Sequence, residues 1–320
     1  DRTSVDANKV NKLNIASLKD VLGDMTLTNL LIEELDLSQI NFNGNTLTLQ
    51  CKQLNKIVGS ETFNGSLFLL PKDCRLTEFT LEGISNIQGD FQCIDYFYVK
   101  EFVMPFIRVA GDMTIALNSG SVNTAAEIEF PKLQEIGGTL TLGTNKNANN
   151  ITFPLLKKIL GSCSVTTYKL KNDIEFTNLE SIGTDGADAQ IKFEIEATNI
   201  LCPKLKTING KFDIATSSFM FDMEVDKVSY PNVESISENL SITCPYSDFG
   251  SNGILSIDFS GLKSAKGISI SGQGDVTDFS SFKYLFENNV LTGESQWSVK
   301  ECGYNPTFQE MKDGKYKLAE

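Results

Sequence analysis

The stretch Ile-Glu-Phe-Pro-Lys-Leu-Gln-Glu-Ile-Gly-Gly-Thr-Leu-Thr-Leu, residues 128–142, decides the fold because its pattern recurs along the chain. The recurring pattern is Ile-x-Phe-Pro-x-Leu-x-x-Ile-x-Gly-x-Leu-x-Leu. Its second isoleucine returns in steps of 23, 23, 26 and 28 residues, at Ile136, Ile159, Ile182, Ile208 and Ile236. A period of this length is typical of a unit that buries its apolar face only against neighbouring copies. The sequence therefore predicts a solenoid.

Weaker copies extend the repeat in both directions and set the domain boundaries. They surround Gly23, Gly59, Gly89 and Gly111 on one side, and a degraded copy spans 257–270 on the other. We expect one solenoid over residues 15–285, built from about ten or eleven coils of roughly 20–30 residues. Residues 1–14 are predicted to form an N-terminal capping helix, and residues 286–320, with Trp297, a C-terminal cap or tail.

Two segments of each repeat alternate apolar and polar residues, as half-buried strands do. Leu140 and Leu142 belong to one, and Ile128 belongs to the other. Two strands per coil are predicted, with Gly138 at the corner between them in a backbone conformation that other residues avoid. Pro131 lacks an N–H group and suits a strand end. The predicted fold is mainly β, a right-handed β-helix-like leucine-rich-repeat solenoid with terminal caps.

Charge and composition narrow the range of functions. The net charge is −13 and the chain contains no histidine. Nucleic acid and anionic membrane surfaces are therefore disfavoured as partners. No segment approaches the roughly 20 apolar residues of a membrane span, so no transmembrane segment is predicted. Catalysis that relies on imidazole is disfavoured as well.

Carboxylate chemistry remains open, and Glu194 with Glu196 is an example of a candidate pair because alternation places both on one strand face. In an acidic chain such a pair is more typical of a solvated face. Asp185–Asp188 and Gly272–Asp275 look like calcium loops but match no spaced ligand motif, and ordinary turns explain both better. We predict no catalytic residue, metal or cofactor.

The seven cysteines divide into two groups by their place in the repeat. Five occupy predicted inward positions and are expected to be core thiols: Cys51, Cys93, Cys163, Cys202 and Cys244. Cys74 and Cys302 lie outside the repeat positions, and both paired and free states stay open for them. Three sequons for N-glycosylation, at Asn64, Asn150 and Asn239, are short enough to arise by chance.

Aromatic residues outside the core positions are the best candidate ligand anchors. Tyr96 and Tyr98 lie in an irregular coil, and Phe219 and Phe221 lie in a long excursion between Ile214 and Val228. These four residues are the predicted ligand-binding residues. Packing of either segment onto a local satellite core is the alternative reading.

The Phe-Pro-x-Leu-x-x-Ile-x-Gly-x-Leu-x-Ile phrase, carried by the coils around Pro131, Pro154, Pro203 and Pro231, resembles the receptor L-domain. It is also similar to related leucine-rich-repeat surface proteins of fungi and gut anaerobic bacteria. The asparagine of ordinary leucine-rich repeats is absent after Leu-x-Leu, where Gly143, Thr166, Ala215 and Thr243 stand instead. A straight β-helical rod is therefore favoured over a horseshoe. The paired-cysteine modules of the receptor family are also missing.

The resemblance implies an exported protein, at the cell surface or extracellular, that binds or adheres and carries no catalytic residue. We expect a non-enzymatic adhesion protein that presents a repeat-built surface to a protein or glycan ligand. Any signal segment or lipid anchor would lie outside the given sequence. The alternatives are a carbohydrate-active β-helix enzyme, such as a polysaccharide lyase or glycosidase, and a structural spacer.

Overall fold

A computed structural model describes the chain as two compact units, Asp1–Leu160 and Gly161–Glu320. The described residues are 3–6, 13–70, 78–94, 101–117, 126–144, 148–167, 173–184, 189–195, 200–216, 227–244, 254, 256–274 and 276–319.

The first unit consists of short strands. They are β1 (Thr3–Asp6), β2 (Met25–Thr28), β3 (Glu34–Asp36), β4 (Thr46–Gln50), β5 (Lys56–Val58), β6 (Thr62–Phe63), β7 (Ser66–Leu69), β8 (Thr80–Glu82), β9 (Asn86–Ile87), β10 (Phe91–Ile94), β11 (Glu101–Val103), β12 (Arg108–Val109), β13 (Met113–Leu117), β14 (Ala126–Glu129), β15 (Glu135–Ile136), β16 (Leu140–Thr144), β17 (Ala148–Thr152) and β18 (Lys158–Ile159).

These strands form parallel sheets along three sides of the unit. The long sheet has the order β1-β2-β4-β7-β10-β13-β16. The second side holds β3-β5-β8 and β11-β14-β17, and the third side holds β6-β9-β12-β15-β18. A coil such as β14, β15 and β16 visits the second side, the third side and the long sheet in turn. The predicted mainly-β solenoid of stacked parallel coils is confirmed.

The prediction of two strands per coil is wrong, because a third strand lies between the other two. In the coil around Pro131 this strand is β15, which has only the residues Glu135 and Ile136. With a single inward residue, such a strand shows no alternation in the sequence. Counted as complete sets of three strands, the coils number four in the first unit and three in the second. This is fewer than the ten or eleven predicted, since the outermost coils contribute one or two strands.

The inward residues of each side form continuous buried columns. On the third side of the first unit the column is Phe63, Ile87, Val109, Ile136 and Ile159, each at most 3% exposed. At the end of the second side, the rings of Phe130 and Phe153 stack with centroids 4.8 Å apart and planes 1° apart. That distance equals the spacing of neighbouring strands, about 4.8 Å. The repeat therefore places like side chains in van der Waals contact from coil to coil.

The second unit continues the numbering with thirteen strands and two short helices among its described residues. They are β19 (Cys163–Thr167), β20 (Ile174–Glu175), β21 (Ser181–Ile182), β22 (Ala189–Ile195), β23 (Ile200–Leu201), β24 (Thr207–Ile208), β25 (Gly210–Thr216), β26 (Lys227–Ser229), β27 (Ser235–Ile236), β28 (Asn239–Cys244), β29 (Ser256–Asp258), β30 (Gly267–Gly274), α1 (Lys283–Glu287), β31 (Trp297–Cys302) and α2 (Phe308–Lys312). Two 3-10 turns span Ser280–Phe282 and Glu294–Gln296.

The second unit repeats the three-sided plan. Its long sheet has the order β19-β22-β25-β28-β30-β31. The second side holds β20-β23 and β26-β29, and the third side holds β21-β24-β27. All of the pairings recorded between neighbouring strands of this unit are parallel.

Residues 286–319 pack onto the end of the second unit. Strand β31 adds to the long sheet beside β30. The Trp297 ring lies 5.1 Å from Phe286 and 5.7 Å from Phe282, and its Nε1 donates a hydrogen bond to the Pro306 carbonyl at 2.8 Å. The apolar edge of the last coil is thereby covered.

The predicted N-terminal helix over residues 1–14 is wrong for the part that the structure describes. Thr3–Asp6 forms strand β1, which pairs in parallel with β2. An extended segment at this edge satisfies backbone groups of β2 that a helix would leave unpaired. Over the described residues, no helix is long and apolar enough to cross a membrane.

Candidate functional site

The four aromatic residues predicted to bind ligand, Tyr96, Tyr98, Phe219 and Phe221, lie outside the described residues. The strands that precede them in sequence are described. Tyr96 follows β10 by two residues, and Phe219 follows β25 by three. Both strands belong to the long sheets.

The outer face of the first unit's long sheet holds two columns of side chains. In β7 the inward residues Leu67 and Leu69 are fully buried, whereas Phe68 between them points outward and is half-buried. Strand register extends this position into one column: Thr26, Thr48, Phe68, Gln92, Thr114 and Thr141. The next outward position gives a second column: Thr28, Gln50, Leu70, Ile94, Ala116 and Gly143. We call these twelve residues the neutral face.

None of the twelve residues of the neutral face is charged, and the face ends at β2, because in β1 Asp6 continues the second column beside Thr28. At the chain's overall charged fraction of 22%, twelve positions would hold between two and three charged residues. Outward positions of strands normally carry more charge than the average, since charged side chains are mostly exposed. Depletion of charge is a compositional mark of the core of binding interfaces.

The geometry of the neutral face is regular. The backbone register between β2 and β16 runs without a bulge, so each column advances by one strand spacing, about 4.8 Å, per coil. Phe68 and Gln92 place two flat side chains at the centre of the first column, with two threonines on either side. Leu70 and Ile94 extend the apolar centre into the second column. The face offers hydroxyl and amide groups that both donate and accept, around an apolar patch.

The strands of the neutral face are positioned by the coil corners that precede them. These corners contain glycine together with acidic or hydroxyl residues. The Asp90 carboxylate accepts a hydrogen bond from the Asp112 backbone N–H at 2.8 Å. The Asp112 carboxylate accepts from Thr139 N–H at 2.7 Å in the next coil. Each side chain thus reaches one coil forward and fixes the entry of the following strand.

Glycine is required at this corner for a different reason from the one predicted. Gly138 does not adopt a positive φ. A Cβ atom on it would lie 2.2 Å from Asp112 Oδ1 and 2.7 Å from the Gly111 carbonyl carbon. At Gly111 the Cβ would lie 2.1 Å from Asp90 Oδ1. The side chain of one coil occupies the space that a Cβ would need in the next.

The corresponding outer face of the second unit is charged. Its first column is Ser164, Lys192, Asp213, Ser241, Ser269 and Ser298. Lys192 is exposed, and Lys300 adds a further exposed cation on β31. The register is also interrupted by a bulge between Ser271 and Gly274. This face lacks both the aromatic centre and the neutrality of its counterpart.

Ion pairs occupy other sides of the coils. Arg108 Nε lies 2.9 Å from Glu135 Oε1, and Lys263 Nζ lies 2.8 Å from Glu234 Oε2. The hydrogen bond and charge of Lys263 lower the pKa of Glu234. Hydrogen bonds from Ser38 lower the pKa of Asp36, and hydrogen bonds from Thr307 lower that of Glu310. A glycosidase acid would need the opposite shift.

The structure describes only part of the candidate acid pair and of the two loops that look like calcium loops. Glu194 occupies the register position beside Thr166, while Glu196 and the Asp185–Asp188 loop lie outside the described residues. Of Gly272–Asp275, the aspartate lies outside them as well. Within the described part of the chain, no three His, Cys, Asp or Glu side chains are placed to hold a metal ion.

Four of the five predicted core thiols are confirmed: Cys51, Cys93, Cys163 and Cys202 are buried. Burial raises the pKa of Cys163 to about 12, which keeps this thiol protonated and unreactive. Cys302 is a half-buried thiol at the end of β31. Cys74 and the side chain of Cys244 lie outside the described residues.

The three sequons differ in accessibility. Asn64 and Asn239 are exposed at coil corners, whereas Asn150 is half-buried within β17.

The neutral face was missed by sequence reasoning, although a signal for it exists. The outward residue between the two inward leucines can be read down successive copies as a column. Such a reading would have singled out Phe68 as an aromatic residue among threonines.

Comparisons with protein families, curated proteins and solved structures find nothing that matches this chain.

Proposed function

We propose that this protein is a non-enzymatic binding protein whose neutral face holds an uncharged glycan. The observation that carries the proposal is a six-strand surface without charge, centred on Phe68, in a chain of net charge −13. The similarity of the repeat phrase to receptor L-domains supports an exported setting, at a cell surface or outside the cell, and a role in adhesion.

The chemistry of the neutral face suits a sugar chain better than the other partners considered. A sugar ring presents C–H groups on its faces and hydroxyls at its edge. Phe68 can pack against the former, while Gln92 and the threonines hydrogen-bond the latter. Binding of a sugar to this face removes no charged side chain of the face from water, so the large free-energy cost of desolvating a charge is avoided. Acidic glycans would be repelled by the net negative charge of the protein.

A protein ligand is less well matched to this surface. Hot spots of protein interfaces are enriched in Trp, Tyr and Arg, and none of these occurs among the twelve residues of the neutral face. Small hydroxyl side chains with a single aromatic anchor provide many weak polar contacts instead. We therefore propose a glycan rather than a protein as the ligand.

The proposal is tested by a glycan-array screen of the purified protein, run alongside an assay for reducing ends released from the same polysaccharides. We expect binding to uncharged glycans without release of product. Phe68→Ala should weaken that binding at least tenfold, about 1.4 kcal/mol, since it removes the aromatic anchor. Ser269→Ala, on the outer face of the second unit, is the matched control and should bind as the parent does.

Two results would contradict the proposal. Release of reducing ends would establish the carbohydrate-active enzyme instead. Binding that is unchanged in Phe68→Ala, with the thermal unfolding of the variant also unchanged, would move the site away from the neutral face.

A further inference from the structure

We infer that the neutral face binds the interior of a linear, unbranched glycan that runs across the strands, with about one sugar unit for each coil. This inference rests on the proposed function and specifies the form of the ligand. It follows from the order of side chains, the register of the strands and the corner that holds them.

The order of side chains in the first column is nearly symmetric about its centre. Reading from β2 to β16, it is Thr, Thr, Phe, Gln, Thr and Thr. A site for one terminal sugar concentrates its polar groups around a single point. Here hydroxyl groups recur at equal steps on both sides of the flat pair Phe68 and Gln92, so a ligand that repeats along the column meets equivalent groups repeatedly.

The length and evenness of the face fit an extended chain. Six strands in unbroken register span five spacings, about 24 Å. No bulge lifts any strand between β2 and β16. The central residues are only partly exposed, with Gln92 and Thr114 half-buried, so the column is a shallow strip rather than a deep pocket. A branch projecting from the sugar chain toward the protein would meet the half-buried Gln92 and Thr114.

Hydrogen bonds at the corner hold the columns in alignment, and they are made by residues outside the neutral face. Ser66 Oγ accepts from Asp90 N–H at 2.9 Å, and the chain of corner hydrogen bonds continues through Asp112 to Thr139. Because these bonds fix each strand against the next, the spacing of the columns is set before a ligand arrives. Preorganisation of this kind favours a ligand with a matching regular repeat.

The test uses cello-, chito- and manno-oligosaccharides of increasing length, titrated calorimetrically into the intact protein. We expect the affinity for at least one series to rise with each unit from about two to about six sugars, the number that a 24 Å strip accommodates. Thr141→Ala, at the end of the column, should weaken binding of the longest oligosaccharide about threefold and leave the disaccharide unchanged. Phe68→Ala should weaken both.

The outcomes separate this inference from the proposed function. Equal affinity for disaccharide and hexasaccharide, still lost in Phe68→Ala, would overturn the linear-chain inference and leave glycan binding in place. Equal or tighter binding of a branched polymer of the same sugar would do the same. Failure of the array and of every oligosaccharide series to bind would overturn both. A dimer in solution that Phe68→Ala abolishes would also overturn both, because a second copy of the chain would then occupy the face.

Discussion

The first unit and the last coils of the second unit close the same corner of the coil with different chemistry. In both, the backbone N–H of one coil donates to the carbonyl of the previous one: Gly138 to Gly111 in the first unit and Lys266 to Glu238 in the second, each at 2.9 Å. The first unit completes the corner with side chains that bind backbone N–H groups. In the second unit glycine holds this position at Gly161 and Gly210, whereas Glu238 and Lys266 hold it in the last coils and form an ion pair.

This difference shows that the backbone ladder does not itself require glycine. At Gly65 a Cβ would meet the Asn45 carbonyl oxygen, whereas at Gly89, Gly111 and Gly138 it would meet an Asp or Ser side chain that the preceding coil folds over the corner. That arrangement directs the acidic groups of the corner to backbone N–H groups beside the neutral face.

The largest expected effect is a loss of stability on substitution in the buried isoleucine column, which both units share. Ile136→Asp in the first unit and Ile182→Asp in the second each place a charge at a fully buried position. Each should lower the free energy of unfolding by about 5 kcal/mol. Urea unfolding followed by circular dichroism measures the loss.

Thr141→Ala is the control for these charge insertions, because its side chain is exposed on the outer face. It should change stability by less than about 0.5 kcal/mol. An unaltered transition in either aspartate variant would show that the inward column is wrongly assigned in that unit.

The corner itself gives the next largest effect. Gly111→Ala should destabilise the first unit by about 2 kcal/mol, because its Cβ meets both the Asp90 carboxylate and the Gly89 backbone. A glycine-to-alanine change without such a contact would normally stabilise through the unfolded state, so the sign alone is informative. Glu238→Ala, at the matching corner of the second unit, should cost less than about 1 kcal/mol. Thermal unfolding of both variants makes the comparison, and a stabilised Gly111→Ala would refute the close contact.

A smaller effect isolates the side chain that reaches forward. Asp112→Ala removes the acceptor of the Thr139 N–H bond and should cost about 1 kcal/mol. Asp112→Asn keeps an acceptor oxygen of the same shape and should recover most of that loss. If the two substitutions behaved alike in chemical denaturation, the hydrogen bond would contribute nothing to the corner.

Much of the fold was predictable because apolar residues recur at the same positions of successive repeats. The inward Leu140 and Leu142 pattern and the isoleucine column are strong signals, and the structure places these residues in the core. The third strand was missed because Glu135–Ile136 has one inward residue and periodicity needs at least two. The corner glycines were predicted from the sequence. The reason for them is an atom of the neighbouring coil, which a rule based on the local φ angle does not include.

The neutral face was harder to predict for a physical reason. Around Phe68 the sequence reads Ser-Leu-Phe-Leu-Leu, and in such an apolar run alternation does not reveal which residues point outward. The outward side is identified only by aligning this run with the neighbouring copies, where Thr48 and Gln92 hold the same position, and strand pairing shows the same alignment. The predicted binding role of Tyr96, Tyr98, Phe219 and Phe221 stays a prediction.

The smallest expected effect is the response of the second unit's ion pairs to pH. The hydrogen bond and charge of Lys263 lower the pKa of Glu234 below its usual value. A carboxyl with a lowered folded-state pKa contributes stability that is present above the unfolded value and is lost as the pH falls through the folded one. Glu234→Gln should therefore flatten the fall of melting temperature between about pH 5 and pH 3, and the two curves should converge at lower pH. Because the pair is exposed, 1 M salt should shrink the difference, whereas a difference that persists in salt would show that Glu234 acts through something other than its exposed partner.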